Sequence, residues 1–462
     1  MDQGNFNVMI ESLRVITNAK FYRQAAALLF SLMLCAFGQA STITVDDPSD
    51  SGPGDCSTSC TLRDAIANAA PNDTIEFADT LTYPVTIKLA GQELLVYKNL
   101  TIIGPGGALL TIDGNQQSRI IEIAANATVT VSGVALNNGT VAGADGGFGS
   151  AARAPDGGDA YGGGVLVNAG SSLQLIACGL NGNHATGGYG GTSGAMYSTQ
   201  GSGGSAHGGA IYSAGTLSVT DASFIGNYVF GGIPGGFLIH SGTSVPGNGG
   251  NAIGGAMETI GLTEISNSQF LNNSAQASYG GQGIGATTGG DGGSARGGAL
   301  AFSAFSAVSY VTALGSSLIP GFGGSGDPIG ASGAAAGADV YTTATLLSRA
   351  NALTSTSGAP TCAAATIVVQ GPNLDADNSC QNFTLHGDAK LQIVTSDGDT
   401  FALPLWGSPL IDSALDCNDA FGSTLVTDVR GVVRPLDGNA DGIAACDVGA
   451  VESDELFANG FE

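Results

Sequence analysis

The sequence predicts an all-β chain wound as a right-handed parallel β-helix, with a short helix capping its first coil. Three observations carry that expectation: a repeat close to 46 residues, short apolar segments of period two within each repeat, and no helical segments between them. The motifs Gly162-Gly163-Gly164-Val165, Gly208-Gly209-Ala210-Ile211, Gly254-Gly255-Ala256-Met257 and Gly297-Gly298-Ala299-Leu300 begin 46, 46 and 43 residues apart. A second marker moves with them, since Asn138, Asn183, Asn227 and Asn273 close successive apolar segments at spacings of 45, 44 and 46. Two markers drifting together imply stacked units, and alternation such as TLSVTDASFIGN (216–227) implies strands.

Neighbouring coils of such a stack lie ~4.8 Å apart. An Asn recurring at one corner then sits over its counterpart, with its amide bonding the coils above and below. A buried amide left unpaired costs ~1–3 kcal/mol, so these residues are expected to be expensive to replace. The competing reading of the same Asn is tolerance of a left-handed turn. Upstream, the strand-like pieces TIEF (74–77), LTII (100–103), IIEI (120–123) and TVTV (128–131) follow at closer intervals. Residues 74–345 are therefore read as solenoid.

Glycine supplies 75 of the 462 residues, without a collagen-like glycine at every third position. It concentrates in stretches 139–161, 184–207, 228–253 and 274–296. Sequences such as SGGSAHGG offer little to bury, so these stretches are read as lateral arms in preference to a second coil. At the N-terminal end, residues 61–70 read as an amphipathic helix with Leu62, Ile66 and Ala69 or Ala70 on one face, stopped by Pro71. It would cover the apolar end of the first coil, within a cap spanning 41–73.

Residues 25–38 (AAALLFSLMLCAFG) follow Arg14, Lys20 and Arg23 and precede small residues, which is the pattern of a secretory signal over 1–40. The apolar block is shorter than the ~20 residues of a membrane span. Export places the remaining cysteines in an oxidising compartment, where the neighbours Cys56 with Cys60, Cys362 with Cys380, and Cys417 with Cys446 are expected to form local bridges. Cys178, in an apolar run, reads as a small buried thiol. The net charge of −25 repels phosphate backbones and anionic membranes, which excludes nucleic acid as a partner. Between 139 and 317 there are only seven acidic and two basic residues, so the repeat surface is neutral and fits a glycan or another cell-surface component as partner.

Cys60-Thr61-Leu62-Arg63-Asp64-Ala65-Ile66 resembles the signature of the CSLREA-type domains of secreted bacterial β-helix proteins, with Thr and Asp in place of the usual Ser and Glu. The Gly-Gly-Ala-Ile motif and the pairs Phe224 to Asn227 and Phe270 to Asn273 resemble the repeats of chlamydial polymorphic outer-membrane proteins, without that family's C-terminal barrel. Ser408-Pro409-Leu410-Ile411-Asp412, Asp428-Val429-Arg430-Gly431 and Cys446-Asp447-Val448-Gly449-Ala450 resemble the choice-of-anchor Q domain, which would occupy 346–452. The tail 453–462, ending LFANGFE, is similar to short tails of exported Gram-negative proteins. These resemblances imply an exported parallel β-helix on the cell surface or in the medium.

Asp437-Gly438-Asn439-Ala440-Asp441-Gly442 matches the first half of a calcium loop, and Asp447 could supply a further oxygen in place of the missing glutamate. Calcium is the one cofactor the sequence suggests, with a plain Asp/Asn/Gly turn as the alternative. Catalysis has weaker support. Lyase chemistry needs a base beside metal-holding carboxylates, and hydrolysis needs a carboxylate pair. Arg153 and Arg296 lie in glycine-rich stretches, Asp113 and Asp221 are isolated and read as turn residues, and His184, His207, His240 and His386 show no ligand spacing and default to surface roles. No catalytic residue is assigned. The sequence thus predicts a non-catalytic adhesion or surface-interaction module. A polysaccharide-active lyase or glycoside hydrolase is the runner-up, and a purely structural envelope protein the third reading.

Overall fold

The computed structural model describes residues 40–453 apart from 53, 196–197, 237–243, 285–286, 356 and 397. The signal segment, His240 and the terminal LFANGFE therefore lie outside the described residues. One coil of the repeat has three faces, formed by strands Val165–Val167, Ser172–Ile176 and Gly179–Asn181. Each strand pairs in parallel with its counterpart in the next coil: Val165 with Ile211, Leu173 with Leu217, and Leu180 with Phe224. Alternate side chains point inward, so Val165, Val167, Leu173, Leu175 and Leu180 are buried in one core that runs from Val45 to Phe383. Phe224 stacks on Phe270 with ring centroids 4.6 Å apart, showing the coil-on-coil register in a side-chain pair.

Parallel pairing begins where Thr42–Val45 lies on Asp73–Phe77 and continues to Leu374–Asp375 on Leu385–His386, beyond the last glycine motif. The chain is thus a parallel β-helix. Helix Leu62–Asn68 closes its N-terminal end, burying Leu62, Ala65 and Ile66. It starts with a capping box in which the Thr61 hydroxyl accepts from the Asp64 amide and the Asp64 carboxylate accepts from that of Thr61. Disulfides join Cys56 to Cys60, Cys362 to Cys380, and Cys417 to Cys446. Among the described residues no helix is long and apolar enough to cross a membrane.

Asn183, Asn227 and Asn273 form the corner ladder, all fully buried. Asn227 Oδ1 accepts from the backbone N–H (3.0 Å) and the side-chain amide (3.1 Å) of Asn183, while Asn227 Nδ2 donates to Leu180 O at 2.8 Å and to Asn273 Oδ1 at 3.0 Å. Asn138 does not belong to it. Its φ of 56° places it in the turn one residue earlier, and Gly139 stands at the ladder position, donating its N–H to Asn183 Oδ1 at 2.7 Å. The left-handed-turn reading is therefore correct for Asn138 and for none of the other three.

Each repeat is one coil plus one arm. In the arm leaving Asn183, Gly187 and Gly190 donate to Phe230 and Ile233 in the next arm at 2.9 and 2.8 Å. Gly188 and Gly191 donate instead to Gly158 and Pro155 in the returning leg of the previous arm, at 2.9 and 2.8 Å. The returning leg repeats the scheme: Gly203 bonds upward to Asn248 and Gly204 across to Gly188. One residue in three bonds up, one bonds across and one faces solvent, which is the three-residue period of an extended polyproline-type helix. The period of three absent from the chain as a whole is thus present inside each arm, as in Gly187-Gly188-Tyr189-Gly190-Gly191. These arms bury mainly backbone, with a small set of buried side chains, Ala154, Ser193, Ser198 and Gln200, near their far end. A Cβ on Gly204 would lie 1.9 Å from Gly158 O, and one on Gly187 1.9 Å from Gly204 O. Together the arms make a two-layered slab beside the solenoid. Among the described residues its apolar cluster, of Ala185, Ala206, Val229 and their neighbours, lies at the base.

The chain after His386 folds back along the outside of the last coils. Its antiparallel hairpin Leu391–Ser396 with Asp399–Pro404 reaches Gln269, whose Oε1 accepts from Ala402 N–H at 3.3 Å. Arg434 anchors the segment: its guanidinium pairs with Glu452 at 2.6 Å, both side chains fully buried, and lies 4.8 Å from the centre of the Tyr310 ring. Within the solenoid Asp339 is fully buried, with Oδ2 accepting from Ser355 N–H at 2.9 Å and Oδ1 unpartnered; burial pushes its carboxyl up to about 7.

Three stability predictions follow from these contacts. Asn227→Ala strands Leu180 O and the Asn183 amide, and is expected to cost about 3 kcal/mol in denaturant unfolding. Gly204→Ala is expected to cost about 1–3 kcal/mol, whereas Tyr189→Ala on the slab surface changes stability by less than about 0.5 kcal/mol. The raised Asp339 carboxyl favours the folded state at low pH, and this contribution fades as pH rises from the unfolded value of 3.8 through about 7. Asp339→Asn should therefore melt with the wild type near pH 4 and above it at pH 8.

Candidate functional site

A cleft of about 550 Å³ lies on the outer side of the third face, between that face and the tip of the C-terminal hairpin. Its floor comes from the register of short strands. Thr111, Ala135, Gly179 and Ser223 form one column, and Asp113, Asn137, Asn181 and Ile225 the next. Small residues in the first column leave the hollow, since a Cβ on Gly179 would touch Asn181 Nδ2 at 3.5 Å. Turn Gly106–Ala108 and hairpin residues Gly398–Phe401 form the walls.

The polar groups are placed by coil geometry. Oδ1 of Asn137 and Oδ1 of Asn181 are buried with no hydrogen-bond partner, stacked one coil apart on the floor. Unpaired acceptors of this kind cost stability unless something donates to them. At the rim Asp221 has a φ of 55°, and its Oδ1 accepts from Asn267 Nδ2 at 2.5 Å. Burial raises its carboxyl above the usual range, opposed by that hydrogen bond and by Arg434. Asp399, Thr400 and Phe401 complete the lining, and no Lys, Arg or His is among the described residues that form it. The arrangement can accept hydroxyl protons at amide and carboxylate oxygens.

The sequence missed this cleft, because Asn137 and Asn181 sit one turn before the ladder and resemble ordinary strand-end residues. The 44-residue spacing between them was the available signal. Asp221 is a turn residue, as expected, but also part of a site. Asp113 stays in its turn, accepting from Asn115 N–H at 2.7 Å. Arg153 pairs with Asp156 at the surface, and Arg296 lies over the Tyr341 ring.

Of the described histidines, His184 and His207 are half-buried, whereas His386 is exposed as expected; all three have partners. His207 Nδ1 lies 2.6 Å from Glu258 Oε2, and its ring stacks on Tyr161 at 4.8 Å. His184 stacks on Tyr228 at 4.7 Å and bonds the Thr140 hydroxyl. His386 bonds Asp375, whose side chain is fully buried and also accepts from Cys380 N–H. Parallel stacking brings residues 44 to 51 positions apart into contact, which no local spacing rule detects. Cys178 is buried, with its thiol pushed up to about 11 by desolvation, and is inert by the same burial.

Of the calcium candidates, Asp437 and Asn439 accept N–H bonds from Asp441 and Gly442 within their own exposed turn. Asp447 lies apart in the interior, its oxygens accepting from Asp412 and Ser453 N–H at 2.8 and 2.7 Å. No group of three or more His, Cys, Asp or Glu suited to a metal ion occurs among the described residues.

No family model matches the chain, and no curated protein matches it at a significant level. Among solved structures, the crystal structure of pectate lyase Pel9A is similar to 90% of this chain over 98% of its own, at 12% identity and a TM-score of 0.26. At that level the likeness adds nothing to the strand pairing, which by itself defines the class as a parallel β-helix solenoid.

Proposed function

We propose that this protein is an exported β-helix scaffold that binds a neutral carbohydrate in the cleft and does not turn it over. The observation that carries the reading is the stacked pair of amide side chains, Asn137 and Asn181, lining a cleft in which no Lys, Arg or His is among the described residues. Sugar hydroxyls both donate to and accept from amide side chains, and an uncharged ligand avoids the repulsion that a chain of net charge −25 exerts on acidic glycans. Export is supported by the apolar block 25–38 and by three disulfides, which persist in oxidising compartments. On a cell surface, such binding would serve adhesion.

A second reading is favoured by one feature: Asp221, with its raised carboxyl, and Asp399 line the same cleft, and hydrolysis of a glycosidic bond uses one protonated and one ionised carboxyl. An array of neutral oligosaccharides, followed by a reducing-end assay on each hit, separates the two. Binding without product release is expected, with Asn181→Ala weakening it about tenfold, the equivalent of one hydrogen bond. Product release that Asp221→Asn abolishes would establish the hydrolase instead, and a silent array would leave an architectural role.

A further inference from the structure

The two faces of the slab are chemically different. On the returning face, side chains at every third position accept N–H bonds from the arm above: Asp156 from Ser202 at 2.8 Å, Ser202 from Asn248 at 3.1 Å, and Asn248 from Asp291 at 2.8 Å. The outgoing face carries large rings in the same positions. Tyr189, Tyr279 and Phe322 share one column with Asp145 and Ile233, Ile233 lying between the two tyrosines, with Phe148 outside it and Tyr228 and Ile319 nearer the solenoid. Phe322 and Phe148 are 75% and 71% exposed, and Tyr189 and Tyr279 just over half. Over residues 140–148, 184–192, 228–236, 274–282 and 317–325, which make this face, Asp145 is the only Asp, Glu, Lys or Arg.

We infer that this face binds a long neutral polysaccharide, laid across the slab with its sugar rings flat on the aromatic column. The inference rests on the carbohydrate reading above and extends it from a short ligand to a polymer. Arms repeat at ~4.8 Å, and surface positions three residues apart along an arm are ~9 Å apart, so Tyr189, Tyr279 and Phe322 make a line of rings across the arms, with Phe148 beside it, that suits a rigid chain with repeating apolar ring faces. Aromatic rings give large contact area at little conformational cost. Charge decides between occupants: two copies of a chain with net charge −25 repel one another, as do polyanions and anionic membranes, whereas a neutral polymer does not. The face also continues the cleft. Asn137, Asn181 and Ile225 of the cleft are followed three residues on by Thr140, His184 and Tyr228 at the base of the slab.

The test is sedimentation of the full chain with insoluble cellulose, chitin and mannan, alongside soluble oligosaccharide binding and light scattering. At least one polymer should retain the protein, and the triple variant Tyr189→Ala, Tyr279→Ala, Phe322→Ala should lower retention at least tenfold with unchanged melting and unchanged oligosaccharide binding. Asn181→Ala should do the reverse, so loss of the cleft reading and loss of the slab reading are told apart. Retention equal to wild type in the triple variant, or no retention on any polymer, overturns the inference. So does a wild-type dimer that the triple variant converts to monomer.

Discussion

The structure depends on one constraint: every coil must present its backbone donors and acceptors to the next coil in register, at one strand spacing. The ladder of Asn183, Asn227 and Asn273 maintains it at the corner where the chain leaves the core, because the amides of Asn183 and Asn227 join their coils to the neighbours on both sides and that of Asn273 ties its coil to the one before. At the same corner, Gly163 and Gly164 approach the next coil so closely that a Cβ on Gly163 would lie 2.5 Å from Gly209 O and one on Gly164 2.9 Å from Ala210 O. With the corner fixed, the apolar triangle closes on one side of it. On the other side the chain is free to leave as an arm and return.

The solenoid was legible because its signal is periodic. Gly-Gly-Ala motifs, inward Leu and Val, and the three later asparagines recur at the coil length, and each has a local reason to recur. Asn138 was misplaced because a repeat count does not distinguish an inward corner residue from the turn beside it; its φ of 56° does. The arms were only half legible. Their low apolar content is plain in the sequence, but what fills their interior is hydrogen-bonded peptide, and sequence patterns report side chains.

The cleft was illegible for a different reason. It is assembled from third-face residues and from hairpin residues about 220 positions further on (Asn181 and Phe401), and nothing local links the two. The same applies to Arg434 with Glu452, Asn267 and Tyr310, where a buried cation joins the C-terminal segment to two coils. Removing one partner of such a pair leaves an uncompensated charge in the interior, so the hairpin that walls the cleft is held by an all-or-none contact.

The glycine slab separates framework from decoration. Its cohesion comes mainly from main-chain groups; Asp156, Ser202 and Asn248 add bonds between arms on the returning face, whereas the exposed rings Tyr189, Tyr279 and Phe322 stand outside that bonding. Residues on the aromatic face can therefore be exchanged over evolutionary time, altering what the surface recognises while the scaffold underneath keeps its shape.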